Sequence, residues 1–156
     1  MGIVPQPQTL GRLKSAVQLA TLAERILRPL AESDPANAAW QRDLSVSLNK
    51  LGNLATAQGN LPEAQRLFGE ALRIAQRLAE SDPANAAWQR DLSYSYTIIG
   101  QLLMRQERWA DALALLEQSL IIDERLAASD PSNVMWQQDV LVSRRLVAQV
   151  RGKRSP

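Results

Sequence analysis

The chain has no cysteine and no histidine. These absences exclude disulfides, thiol nucleophiles and imidazole bases, and they remove the usual zinc and copper ligands, so no metal and no cofactor is expected. Aromatic residues make up only 4% of a chain that is 46% hydrophobic. The apolar weight rests instead on leucine and alanine, strong helix formers, which points to an all-α class. No apolar run approaches the roughly 18–20 residues that span a bilayer. The first residues, Met-Gly-Ile-Val-Pro-Gln, lack a basic segment leading into an apolar run, and Gln6 stands where a myristoylation motif needs serine or threonine. Neither a secretory signal nor a lipid anchor is read there, and a cytoplasmic location is expected. There is no Gly-rich phosphate loop, and Glu32, Asp43, Glu80 and Asp91 have no partner at a spacing that forces proximity, so the chain reads as non-enzymatic.

What the chain does have is repetition. The stretch Leu30 to Ser45, Leu-Ala-Glu-Ser-Asp-Pro-Ala-Asn-Ala-Ala-Trp-Gln-Arg-Asp-Leu-Ser, returns letter for letter from Leu78 to Ser93, and a diverged copy runs from Leu126 to Leu141. Trp40, Trp88 and Trp136 mark a period of 48 residues without insertion. A fixed period of this size belongs to a solenoid or array, in which each unit buries its face on its neighbour.

Between these landmarks, apolar residues recur at three- and four-residue steps, the spacing of one helix face. Leu13, Ala16, Leu19, Ala20, Ala23, Ile26, Leu27 and Leu30 predict a helix over 9–33, with Pro29 kinking or stopping its last turn. Ser33-Asp34-Pro35-Ala36-Asn37 reads as a corner where Asp34 caps the next helix and Pro35 takes its first turn. Trp40, Leu44, Leu48, Leu51 and Ala55 carry that helix to about residue 58. Gly59-Asn60 then ends it and starts another, with Asn60 as N-cap and Glu63 in capping-box position. Copied at the period, this gives a flexible leader over 1–8, a single solenoid domain over 9–152 and a basic tail over 153–156. Within the domain lie a helix 9–33, repeats 36–82 and 84–130, and a terminal helix 132–151, in the order B-A-B-A-B-A.

The first full copy contains Leu48-x2-Leu51-Gly52-x2-Ala55, then Ala64-x3-Phe68, then Pro83. The second contains Tyr96-x2-Ile99-Gly100-x2-Leu103, Ala112-x3-Leu116 and Pro131, and the third only Arg144-x2-Val147-Ala148-x2-Arg151. This pattern resembles the tetratricopeptide repeat, a unit of about 34 residues reading W-x2-L-G-x2-Y, A-x3-F, P. The present repeat is an elongated variant, in which both helices gain about two turns where they meet the Asp-Pro corner. About seven added residues per helix keep the same face inward. Trp40, Trp88 and Trp136 then belong to an added layer of structural core, or else form a ladder that stacks a ligand.

The resemblance implies a right-handed α-solenoid of about six helices in antiparallel pairs. It also implies a scaffold for protein–protein interaction whose A helices line a concave peptide-binding groove. Carried over column by column, the groove residues are Asn49, Asn53, Tyr94, Thr97, Gln101, Arg145 and Gln149, beside Val46, Thr56, Met104, Val142 and Gly152, and extending the helical phase into the added turns brings in Arg42, Arg90 and Gln138. Such a surface is amide-rich, mildly basic and without carboxylates, and would suit a polar or acidic peptide; the other reading is a set of plain solvated helix faces. A second functional reading is a structural or oligomerisation module of a larger bacterial signalling assembly, the bacterial source resting on the same resemblance. Arg144, Arg145, Arg151, Lys153 and Arg154 follow the last acidic residue, Asp139. Without aromatic interleaving they do not make nucleic acid the expected partner. Val140, Leu141, Val142, Leu146, Val147 and Val150 give the last helix more apolar surface than one neighbour covers, so self-association through open solenoid ends, a longer array or a covering partner is expected.

Overall fold

The computed structural model describes residues 7–154. Six helices follow one another: α1 Pro7–Ser33, α2 Ala38–Ala57, α3 Leu61–Ser81, α4 Ala86–Arg105, α5 Trp109–Ser129 and α6 Val134–Arg154. Among the described residues there is no strand, so the class is all-α and the helix count is the expected one. The leader predicted over 1–8 falls outside the described residues up to position 6, and α1 begins already at Pro7. Of the predicted tail, Lys153 and Arg154 are helical, and residues 155–156 lie outside the described range.

The corners differ from expectation in one consistent way. Asp34 and Pro35 lie in a turn ahead of α2, and the cap of α2 is Asn37, whose side chain accepts from the Trp40 amide at 3.1 Å. Asn85 does the same for Trp88 at 3.1 Å, and Asn133 for Trp136 at 3.2 Å. The aspartate closes the turn instead: Asp82 accepts from the Ala84 amide and Asp130 from the Ser132 amide. Asp and Asn both serve as caps, and the residue in extended conformation immediately before the first helical turn takes the role. Here that is Asn37, with φ −75° and ψ 94°. Pro29 does not end α1, which runs on through it to Ser33.

The opposite corner matches its sequence signal except for the capping box, since the Glu63 carboxylate accepts from Arg66 and the Asn60 amide donates to the Ala55 carbonyl. Gly59 adopts φ +76°, a left-handed conformation that glycine takes without steric cost. Asn60 accepts from the Glu63 amide at 3.3 Å. In the next copy the left-handed residue is Glu107, at φ 58°.

The repeated glutamine of the Gln-Arg-Asp triplet also has a structural role. Gln41, Gln89 and Gln137 each donate through Nε2 to the carbonyl ten residues upstream, Ala31, Ala79 and Ala127, at 2.8, 3.1 and 3.0 Å. Each bond ties the start of an A helix to the end of the preceding B helix. The carbonyls it serves lie near a helix C-terminus, where they have few intrahelical partners.

The chain divides into two compact units, Met1–Ala71 and Leu72–Pro156, where the sequence reading had one domain. The division falls within α3, so this helix contributes to both. In the first unit α1 packs on α2, and the buried residues include Leu44, Leu48, Ala55, Ala64, Leu67 and Phe68. In the second, α4 packs on α5 and α5 on α6. One apolar cluster joins Leu103, Ala112, Leu113, Leu116, Leu146, Val147 and Val150; another joins Ala75, Ala79, Leu92, Ile122 and Leu126, with Trp136 against it. The pairing of Gly100 with Leu116 and of Ser93 with Asp123 fixes α4 and α5 as antiparallel.

Two expectations about the last helix are modified. Val140, Leu146, Val147 and Val150 are buried, and of the apolar residues named there only Leu141 and Val142 are exposed. Arg144 and Arg151 reach back to Glu124 and Glu117 of α5, each at 2.7 Å. In the preceding A helix the same columns hold Tyr96 and Leu103, so on α6 guanidinium groups stand where apolar side chains stood. The longer exposed apolar stripe lies on α1.

Candidate functional site

Within the second unit, α4 and α6 border a cleft of about 460 Å³ lined by Arg90, Asp91, Ser93, Tyr94, Thr97, Ile98 and Gln101 of α4, by Asp139, Val142 and Ser143 of α6, and by Asp123 of α5. This volume lies in the range of small-ligand and side-chain pockets. A-helix residues three, four and seven apart share a face, which is why Arg90, Tyr94, Thr97 and Gln101 reach the cleft together.

Its floor is polar. Asp123 is only 4% exposed, and its two carboxylate oxygens accept from the hydroxyls of Ser93, Ser119 and Ser143. Ser93 and Ser119 share a further hydrogen bond at 2.9 Å, and Thr97 reaches Ser119 at 2.7 Å. Burial pushes the Asp123 carboxyl above the ordinary aspartate range. The hydroxyl hydrogen bonds offset this only in part, and the nearby charge of Asp139 adds to it. At the rim Arg90 donates to both oxygens of Asp139, at 2.6 and 3.2 Å. That pairing raises the Arg90 pKa further and spans from α4 to α6.

Of the residues selected from sequence, Arg90, Tyr94, Thr97 and Gln101 come together here with Val142. Arg145 and Gln149 are exposed on α6 and do not line the cleft. In the first unit Asn53 lines a shallower groove with Ser47, Lys50 and Leu54 opposite Ala16, Leu19, Ala20 and Ala23. Arg42 is half-buried. Asn49 is buried, and among the described residues its Oδ1 has no hydrogen-bond partner. Trp40, Trp88 and Trp136 are all half-buried.

The expectation of a surface without carboxylates is overturned for this cleft, which Asp91, Asp123 and Asp139 line together with Arg90. Sequence reasoning missed Asp123 because it searched the A helices, whereas Asp123 rises from a B helix beneath them. A signal was present. The column of Asp123 holds Leu27 and Ala75 in the earlier copies, and the column of Ser119 holds Ala23 and Ala71, so polar residues enter an apolar stripe only in the third.

Paired helices capped at an Asp-Pro-x-Asn corner and turning at a left-handed residue define a helical-repeat protein. The sequence model of the tetratricopeptide repeat matches residues 44–85 and 92–130, and the chain belongs to that family. The all-α solenoid class follows. Repeats of this family are in general non-enzymatic interaction modules. No curated protein matches the chain. Among solved structures it is similar to the crystal structure of BtubC (BKLC) from P. vanneervenii, with a TM-score of 0.61 and 23% identity, over 90% of this chain and 50% of that one. The chain thus spans about half the length of that relative, and at this identity the likeness shows the fold. Among the described residues, no helix is long and apolar enough to cross a membrane.

Proposed function

We propose that the protein is a non-enzymatic interaction scaffold that holds an extended polar peptide segment in the cleft between α4 and α6. The observation that carries this reading is the convergence of Tyr94, Thr97 and Gln101 from one helix face over a cavity large enough for a side chain. Gln101 is exposed and can both donate to and accept from a peptide backbone. Tyr94 is 47% exposed and offers a rigid aromatic face of the kind that dominates binding energy at interfaces. The Asp123 carboxylate, whose direct partners among the described residues are neutral hydroxyls, disfavours the acidic peptide first considered, by like-charge repulsion at short range. An immobilised library of random peptides tests the reading. Tyr94→Ala and Gln101→Ala should each weaken captured sequences about tenfold. Undiminished capture by both variants would move the binding surface elsewhere.

A second reading, an oligomerisation module, rests on α1. Leu19, Leu22, Ile26 and Leu30 recur along one side of this helix and are 70%, 54%, 56% and 37% exposed. The column of Ile26 holds Ile74 and Ile122, and that of Leu30 holds Leu78 and Leu126, and all four of these are buried. In the second unit α4 lies on α5, which carries Ile122 and Leu126. An uncovered stripe of this kind supports pairing of two copies through α1. Light scattering at high micromolar concentration should give twice the monomer mass for the wild type and the monomer mass for Leu22→Glu or Ile26→Glu. A wild type that stays monomeric across that range removes the second reading and leaves the first untouched.

A further inference from the structure

Asp123 is costly where it stands. The earlier copies show that the scaffold accepts leucine or alanine in this column, and Ala75 sits in an apolar cluster without difficulty. A carboxylate in the same place must give up most of its hydration, and among the described residues its direct partners are hydroxyls and not a cation. Three serine hydroxyls are neutral dipoles. They hold the carboxylate in position without cancelling its charge. An ionised carboxylate has about four acceptor positions, and its close donors are Ser93 on one oxygen and Ser143 on the other, with Ser119 more distant at 3.5 Å, so acceptor capacity stays open where Asp123 lines the cleft.

The surroundings select what could use that position. Arg90 is committed to Asp139 through two hydrogen bonds. The lining groups are then three carboxylates and one guanidinium, with the phenol of Tyr94 at the rim and the apolar surfaces of Ile98 and Val142 along the wall. Apolar walls, an aromatic edge and an anionic floor together accommodate an alkyl chain that ends in a cation. A bare metal ion is not indicated: among the described residues no three ligating side chains converge closely enough to hold one. An anion would meet the Asp123 carboxylate on the floor.

We propose that the cleft is a specificity pocket for the side chain of an arginine or lysine in the bound peptide, with its cationic head set against Asp123 and its alkyl stem along Ile98 and Val142. This rests on the peptide-scaffold reading and adds the chemical class of the anchoring residue. Ser93, Ser119 and Ser143 are positioning residues in it, since they orient the carboxylate and do not themselves carry the charge.

The test has two arms. In the first, agmatine, a guanidinium on a short alkyl chain, is titrated into the isotopically labelled protein and amide shifts of Ser93, Tyr94 and Ser143 are followed. Saturable shifts are expected, with affinity at least tenfold weaker in Asp123→Asn, which keeps the shape and removes the charge. Asp123→Ala, which reproduces the residue of the preceding copy, should behave like Asp123→Asn and checks that the loss is not one of folding. Absence of shifts, or equal binding in the two substituted proteins and the wild type, overturns the proposal. In the second arm, the random-peptide library is screened with wild type and Asp123→Asn. Enrichment of arginine or lysine at one position by the wild type alone supports the proposal. Peptides captured equally by both proteins without such enrichment overturn it while leaving the scaffold reading standing. Failure to capture any peptide overturns both.

Discussion

Phe68→Ala is expected to lower the unfolding free energy by about 3–5 kcal/mol, the range for deleting a fully enclosed aromatic side chain. Phe68 is 2% exposed and comes from α3, where its ring fills the space that a side chain on Gly52 of α2 would need. A Cβ built on Gly52 would lie 2.3 Å from the ring. Removal of the ring therefore opens a cavity at the closest approach of the two helices, where backbone on one side cannot follow. Urea unfolding monitored by tryptophan fluorescence gives the measurement. The comparison with Trp40→Ala is informative, because the indole is half-buried and part of its surface is in water already. Its removal should cost less than that of Phe68 even though the tryptophan is the larger residue. A loss below about 1 kcal/mol for Phe68→Ala would mean that the ring is not enclosed.

The contrast between these two residues shows where the sequence was easy to read. Letter-for-letter repetition draws the eye to Trp40 and Trp88, yet much of what is copied there serves the corner. Asparagine caps the helix, aspartate closes the turn and glutamine ties the corner to the preceding helix. The helices themselves were legible because leucine and alanine recur at helical spacing, and the order of six followed from the period alone. The choice between Asp34 and Asn37 as cap was not legible, since both side chains can cap and only the backbone conformation decides.

The cleft divides along a similar line. Arg90, Tyr94, Thr97 and Gln101 could be found because one helix face brings them together without tertiary information. Asp123 could not be placed by that route. It lies on α5 and meets Ser93 and Ser143 only through the packing of α4 and α6 against that helix. Asn49 illustrates the converse: it shares a column with the half-buried Thr97 and is itself buried. Column equivalence fixes the direction of a side chain from its own helix, whereas exposure depends on which helix lies opposite. Leu30 and Leu78 make the same point, since one is 37% and the other 8% exposed although their sequence contexts are identical on the C-terminal side.

The close approach at the glycine column links this packing to the cleft, and Gly100→Ala tests the link. A Cβ at Gly100 would stand 2.7 Å from Cγ and 2.8 Å from Cδ2 of Leu116, whose side chain is fully buried and has no space to retreat into. Overpacking of this kind costs about 1–3 kcal/mol. Leu116→Ala alone should cost about 2–5 kcal/mol by leaving a cavity. If the contact is what opposes the added methyl, the double variant Gly100→Ala with Leu116→Ala should be more stable than the sum of the two losses predicts, by about 1 kcal/mol or more. Strict additivity would show that α4 and α5 do not approach each other closely there. The consequence extends one to two helical turns along α4. Thr97 and Ser93 reach Ser119 at 2.7 and 2.9 Å because α4 lies close on α5, so Gly100→Ala alone should also loosen the hydroxyl cluster around Asp123. The last A helix supplies the natural control. Its residue in this column is Ala148, whose methyl is exposed. Glycine is therefore kept in the two copies where a B-helix side chain fills the space, Gly52 against Phe68 and Gly100 against Leu116, and the second of these contacts sets the separation on which the floor of the cleft depends.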